Sequence, residues 1–350
     1  MQKTSAGRFF EDFAVGDVLA HATPRTITSG DVAVYQGIYG SRFAVQSSAP
    51  FARALDYRDA PVDDLIVFHI VFGKSVPDVS INAVANLGYA ECRFLRPVYV
   101  GDTLSARSKV IGVRENSNGK TGVVYVRTTG TAQDGAAVLE FVRWVMVRKR
   151  DAGAAAPEPV VPELADAIDP ASGSIAVPSF GAAAYDFEAA GAPFRASDYE
   201  IGEKIEHVDG ITVEEAEHQI ATRLYQNTAK VHFDALAQKD SRFGRRLIYG
   251  GVVISLARAL SFNGLQNAFH IAGINGGRHV APLFAGDTVY AWSEVVDRQS
   301  PEDRSDIAVV RLRTVATKDQ PCGDFPDPAG DDEAAKSVIL DLDYWVAMPA

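Results

Sequence analysis

The apolar and polar positions of this chain fall into two kinds of pattern. Ser108–Val113 and Val123–Arg127 alternate apolar with polar, which predicts half-buried antiparallel strands. Val252–Leu260 is an almost unbroken apolar run with Gly250 and Gly251 at its entrance, and it predicts a buried helix. Earlier, turns at Val15-Gly16 and Ile201-Gly202 each precede a short helix, with caps expected near Thr28 and Thr212. Thr212-Val213-Glu214-Glu215 has capping-box spacing, Thr followed three residues later by Glu. An antiparallel sheet wrapped around one central helix is the α+β assembly that buries such faces.

The pattern occurs twice. Asp12-Phe13-Ala14-Val15-Gly16 matches Asp198-Tyr199-Glu200-Ile201-Gly202 at an offset of 186 residues. The segment from Arg93, RFLRPVYVGDT, matches RHVAPLFAGDT from Arg278 at 185, with Pro97/Pro282 and Gly101-Asp102-Thr103/Gly286-Asp287-Thr288 identical. Val123–Thr128 matches Val309–Thr314 at 186, and Trp144-Val145 matches Trp345-Val346 at 201. The added 15 residues fall in the Pro-, Asp- and Gly-rich stretch QPCGDFPDPAGDDEAA, a surface loop by composition. Unrelated domains that share turn motifs would not keep the order, so the chain is a tandem duplication. The expected organisation is one copy over 1–150, a linker over 151–185 rich in Ala and Pro, and a second copy over 186–350. The linker is long enough to cross a surface to the start of the second copy.

Composition narrows the class. The chain has 350 residues, 47% hydrophobic, and a net charge of -11, which argues against nucleic acid as a partner. Two cysteines, Cys92 and Cys322, form no CxxC pair and no disulfide framework. The N-terminus lacks a signal-peptide core, and no apolar run is long enough to span a bilayer, so the expectation is a cytoplasmic protein without membrane contact. Glu214-Glu215-Ala216-Glu217-His218 lacks the HExxH pattern, and His207, His218, His270 and His279 have no ligand spacing, so no metal is expected.

The strand motif ending in Gly-Asp-Thr, found at 97–103 and 282–288, resembles that of the hotdog fold in its MaoC-like enoyl-CoA hydratase branch. That family's active segment runs Gly-Asp-x-Asn-Pro-Leu-His-x-Asp. Gln226-Asn227-Thr228-Ala229-Lys230-Val231-His232-Phe233-Asp234 is similar to it, with His232 on the family histidine and Asp234 on the later Asp. Asn227 stands where the family has its catalytic Asp, and Ala229-Lys230 replaces Asn-Pro. In the first copy Ser41 and Gln46 stand at the places of Asn227 and His232, and the flanking Tyr39 and Tyr225 support the alignment. The resemblance implies a tandem double hotdog with a degenerate first copy that shapes the substrate tunnel. LYQNTAKVHFD followed by GRRLIYGGVVISLARAL most resembles the mesaconyl-CoA hydratase subgroup, also called β-methylmalyl-CoA dehydratase.

Hydration of an α,β-unsaturated thioester needs a base, a donor for the thioester oxygen and a positioned water. His232 is the motif residue with a reference pKa near neutrality, hence the candidate base and later acid. Asn227 can orient a water but cannot take its proton. Asp234 either orients the imidazole, supplies a second base or caps a turn. The oxyanion donor is expected at the helix entrance, Gly251 by the resemblance, with Gly250 beside it. A mesaconyl group carries a free carboxylate that needs a cation. Arg242, Arg245, Arg246, Lys230 and Arg223 are the candidates, with Tyr249 also expected at the substrate, and CoA phosphates compete for the same cations. Gly-Asp-Thr recurs in the copy without a base, so it belongs to turn architecture, and Ser29-Gly30-Asp31 is expected to be a helix cap. The expected partner is an acyl-CoA substrate, no cofactor is expected because CoA is part of that substrate, and a homodimer is compatible with the chain. A hydratase for plain acyl chains, a hotdog thioesterase and a non-catalytic acyl-CoA binder stay open as alternatives.

Overall fold

The two sets of sequence blocks fold into matching elements in a computed structural model that describes residues 3–170 and 175–350. The first copy contains β1 (Val18–Thr26), α1 (Ser29–Tyr39), α2 (Ala44–Ser47), α3 (Ala49–Ala54), α4 (Asp64–Ser75), β2 (Ala83–Phe94), β3 (Thr103–Glu115), β4 (Thr121–Thr131) and β5 (Ala137–Arg148). After α5 (Phe187–Ala190), the second copy contains β6 (Lys204–Glu206), β7 (Ile211–Thr212), α6 (Glu215–Leu224), α7 (Lys230–Phe233) and α8 (Gly250–Leu260). It closes with β8 (His270–His279), β9 (Thr288–Gln299), β10 (Ile307–Lys318), α9 (Glu333–Lys336) and β11 (Val338–Pro349).

Among the described residues the strands form one antiparallel sheet in the order β1-β3-β4-β5-β2-β8-β11-β10-β9-β6, with β7 also beside β9. The halves of that order are copies of each other, and β2 and β8 join them through Ala90–Gly276, Cys92–Ile274 and Arg93–Gly273. The central helices α4 and α8 are buried along nearly their whole length. Twin residues meet on the axis between them. Tyr225 donates its hydroxyl to that of Tyr39 at 3.0 Å, and His69 Nε2 lies 2.9 Å from Ser255 Oγ.

The duplicated turns are duplicated in atomic detail. Gly101 and Gly286 both adopt φ +96°, a left-handed conformation that favours glycine. Asp102 accepts the Tyr99 N–H and Asp287 the Phe284 N–H, each at 2.9 Å. These aspartates therefore hold turns, as their presence in both copies implied. A buried polar ladder also repeats. His21 Nε2, Ser108 and Thr128 are linked at 2.7 and 2.8 Å, and His207 Nε2, Ser293 and Thr314 at 2.8 and 2.7 Å. In the second copy the ladder continues, with the Thr314 hydroxyl donating to Tyr344 at 3.1 Å. The twin of Tyr344 is Arg143, since each directly precedes the matched Trp144 and Trp345.

Three details differ from the sequence expectation. Thr28 and Asp31 form the predicted cap of α1, but α6 is capped by Glu214 with Glu217. Thr212 instead lies in β7, where its hydroxyl pairs with that of Thr288 at 2.8 Å. The added loop after β10 does more than cover surface. Its Pro326 carbonyl accepts the indole N–H of fully buried Trp292 at 2.9 Å, and Cys322 is buried in the same cluster. The described part of the linker up to residue 170 runs over the sheet. Val160 pairs with Val113, Ala165 donates to Glu91, and Ile168 donates to Asn275 on β8. Among the described residues no helix is long and apolar enough to cross a membrane.

Candidate active site

A cavity of about 300 Å³ opens where the two copies meet, a size suited to a small acyl group. The first copy supplies Phe72 from α4, Asn86 and Tyr89 from β2, and Arg143 from β5. The second supplies Asn227, His232, Tyr249, Gly250 and His279. Neither copy alone could form this wall.

The segment carrying the motif is irregular, as a five-residue spacing between two converging side chains requires. Gln226 adopts φ +57°, the Asn227 N–H returns to the Thr222 carbonyl at 2.9 Å, and α7 is a single turn. Asn227 is buried, and its side-chain oxygen accepts the Ala229 N–H at 3.2 Å. The amide nitrogen is thus the end left to reach a ligand.

His232 Nδ1 lies 3.0 Å from the Leu247 carbonyl oxygen. A carbonyl only accepts, so Nδ1 carries the proton and the lone pair of the neutral ring sits on Nε2. Burial lowers the His232 pKa to about 4, partly offset by the Leu247 contact, which keeps the ring neutral near pH 7 with its Nε2 lone pair unprotonated. The Leu247 carbonyl takes the orienting role considered for Asp234. That carboxylate instead accepts the Ala237 N–H at 3.0 Å, capping a turn, and Asp234 is not on the cavity wall.

Tyr249 is the N-cap of α8 and makes no side-chain cap bond. Its backbone N–H donates to His218 Nε2 at 3.0 Å, which anchors the helix entrance. The Val252 N–H turns back to the Tyr249 carbonyl at 2.8 Å, whereas the N–H groups of Gly250 and Gly251 precede any intrahelical acceptor, so they and the helix dipole present positive charge there. Gly250 lines the cavity, and a Cβ there would lie 2.4 Å from His279 Nε2, so only glycine fits. Gly251 sits one layer back, where a Cβ would meet Tyr249 and His69 at about 2.5 Å.

The cations expected at the substrate lie elsewhere. Arg223, Arg242, Arg245 and Lys230 are exposed and off the cavity wall. Arg245 stacks on Phe284 at 3.8 Å. Arg246 is held by Glu215 at 2.6 Å and by Gln219. Tyr249, by contrast, lines the cavity as expected. Sequence reasoning missed Arg143, Asn86, Tyr89, His218 and His279. One signal was available: the repeat sets Arg143 opposite Tyr344, an unusual exchange inside a conserved ladder frame.

The first copy arranges the same place differently, with Gln46 and Val62 on the wall of a separate cavity. Gln46 donates to the Phe269 carbonyl at 2.6 Å, and Ser41 donates to Asp63 at 3.1 Å. Asp63 and Asp64 stand where Tyr249 and Gly250 stand in the other copy. Asp64 accepts the Ile271 N–H at 2.8 Å and faces His270 at 2.9 Å. Burial, and then the charge of Asp64, raise the Asp63 pKa to about 6. Carboxylates at the helix entrance would repel a developing thioester oxyanion. Among the described residues no cluster of three His, Cys, Asp or Glu side chains could hold a metal ion.

The chain is similar to known proteins along nearly its whole length. The family model for mesaconyl-CoA hydratase matches residues 1–324. A β-methylmalyl-CoA dehydratase of Chloroflexus aurantiacus is 58% identical over 347 residues, covering 99% of this chain and 98% of that one. A mesaconyl-CoA hydratase of Cereibacter sphaeroides is 57% identical, covering 99% of each. The crystal structure of a MaoC domain dehydratase from C. aurantiacus superposes with a TM-score of 0.97 at 58% identity, covering 100% of this chain and 99% of that one. A double-hotdog protein of Mycobacterium tuberculosis gives 0.72 at 26% identity, covering 98% and 99%.

Proposed function

The chain belongs to the mesaconyl-CoA hydratase family, and on that premise we propose how its cavity carries out the family's reaction. The protein is a hydro-lyase that reversibly adds water to mesaconyl-CoA (2-methylfumaryl-CoA) to give β-methylmalyl-CoA. His232 carries the reading, because its protonated Nδ1 is tied to Leu247 and its Nε2 lone pair belongs to a ring on the cavity wall.

In the forward direction Nε2 takes a proton from water as the oxygen bonds to the β-carbon. The double-bond electrons move toward the thioester carbonyl, whose oxygen gains charge. The N–H groups at the start of α8 accept that charge into their hydrogen bonds, with Gly250 at the wall and Gly251 behind it. The α-carbon then takes the proton back from the imidazolium, which restores the neutral ring. Asn227 donates from its amide to hold the attacking water. Dehydration runs the same steps in reverse. Exposed Arg242, Arg245 and Lys230 suit the CoA phosphates better than the acyl group, because phosphates tolerate solvated partners.

The test follows enoyl absorbance and free thiol after addition of mesaconyl-CoA or crotonyl-CoA. Loss of absorbance with mesaconyl-CoA and no thiol is expected. Thiol release would make the protein a thioesterase, no change would make it a binder, and a much faster reaction with crotonyl-CoA would remove the dicarboxylate preference.

A further inference from the structure

Arg143 is fully buried and has no carboxylate within salt-bridge distance among the described residues. Its guanidinium donates to Ser75 at 2.8 Å and to Ser80 at 3.4 Å, and packs 4.2 Å from the Phe72 ring. Its Nε has no hydrogen-bond partner. A buried cation met only by hydroxyls and a ring is costly unless a ligand supplies the anion. Burial lowers its pKa to about 10, so it stays charged at neutral pH.

Arg143 lines the same cavity as His232, and among the described residues it is the one Arg or Lys on that wall. Polar atoms on other lining residues also lack partners: the Tyr249 hydroxyl and both ends of the Asn86 amide. Tyr249 links the two groups, its ring 5.5 Å from that of His232 and its hydroxyl within the field of Arg143. The twin position supplies a control inside the molecule. There Tyr344 closes the ladder of His207, Ser293 and Thr314 as a neutral group. Ladder packing alone is thus met by a phenol, and the guanidinium answers another demand.

We propose that Arg143, contributed by the copy without a base, binds the free carboxylate of the acyl group and sets the preference for dicarboxylic substrates, with Tyr249 and Asn86 as supporting donors. This rests on the hydratase reading. In 2-methylfumaryl thioesters that carboxylate is attached to the β-carbon, the carbon that receives water. A grip on it therefore also fixes the reacting carbon against His232.

The test compares wild type, Arg143→Gln and Arg143→Lys on mesaconyl-CoA and crotonyl-CoA, and measures inhibition by methylsuccinyl-CoA and butyryl-CoA. In Arg143→Gln, kcat/KM for mesaconyl-CoA should fall about 100-fold or more, while that for crotonyl-CoA changes less than about threefold. Inhibition by methylsuccinyl-CoA should weaken similarly and that by butyryl-CoA hold. Arg143→Lys, which keeps charge and most of the volume, should recover part of the loss. Equal losses on both substrates, or unchanged binding of methylsuccinyl-CoA, would overturn the assignment. If Arg143→Gln does not fold, the Lys variant decides by whether the ratio of the two substrates shifts. A wild type inert toward mesaconyl-CoA would instead defeat the hydratase reading, a result separate from any effect at Arg143.

Discussion

Gly250 and Asp64 occupy the same place at the start of the two central helices, and they make opposite sites. At Gly250 the helix entrance opens on a cavity beside His232. At Asp64 a carboxylate fills the entrance and is consumed by the Ile271 N–H and His270. The same fold with the same turns thus gives one half with a histidine beside a glycine entrance and one with a glutamine beside an acidic entrance. The half with the glutamine still contributes: α4, β2 and β5 build one wall of the other half's cavity. Duplication here left His232 in one copy and gave the other copy a share of the wall around it.

The sharpest way to break this comparison is to exchange twin residues. His232→Ala should lower hydration roughly 1,000-fold, within the range for loss of a general base. Gln46→Ala in the other copy should change it less than about threefold. If the two variants lost similar activity, the asymmetry would be wrong. Next in size is Gly250→Asp, which imports the silent copy's residue. It should cost roughly 100-fold or more, because the new carboxylate opposes the developing oxyanion and its Cβ meets His279, and Asp64→Asn should leave kcat nearly unchanged. Asn227→Ser, again the silent residue, should cost roughly tenfold in kcat, about the 1.4 kcal/mol of one positioning hydrogen bond.

Acid sharpens the comparison differently. Desolvation holds His232 and His279 near pKa 4 and His218 near 3. All three belong to the active half, and only the neutral His232 ring can take a proton. The pH profile of initial rates should therefore stay flat from about 8 to 5 and fall below that, with an apparent pKa near that of His232. The same shifts set stability. In the unfolded chain these rings protonate near 6.5, whereas in the folded chain they resist it. Their stabilising share is complete above that value and is lost as pH falls toward 4, visible as a declining melting temperature. A profile that fell already between pH 7 and 6 would contradict the neutral-ring assignment.

The smallest effect should be symmetric. Tyr39→Phe and Tyr225→Phe each remove the hydroxyl pair on the axis, and each should lower stability by about 1 kcal/mol in denaturant unfolding. Unequal values would show that the axis itself is not evenly shared.

Much of the fold was legible because its signals are local. Gly101 and Gly286 need a left-handed turn, Asp102 and Asp287 cap it, and repetition of the motif sets the order of elements. The cap at Thr212 misled because its spacing also suits a strand residue facing Thr288, and β9 decided between the two. At the site, the motif pointed to His232 and Asn227, and both line the cavity. It could not supply Leu247, 15 residues away, as the partner of the imidazole. The arginines nearest the motif in sequence proved exposed or already paired, because a short loop beside a site usually faces water.

The sequence by itself determined the duplication, the α+β sheet-and-helix unit and the copy that keeps a histidine. These rest on period, turn chemistry and residue type, which are properties of neighbours along the chain. The tertiary structure decided which residues share the cavity. Arg143 and His232 come from different copies, and Gly250 meets His279 only because β8 returns beside α8. The first of these meetings follows from closing one sheet across the β2–β8 seam, and no spacing within either copy encodes it.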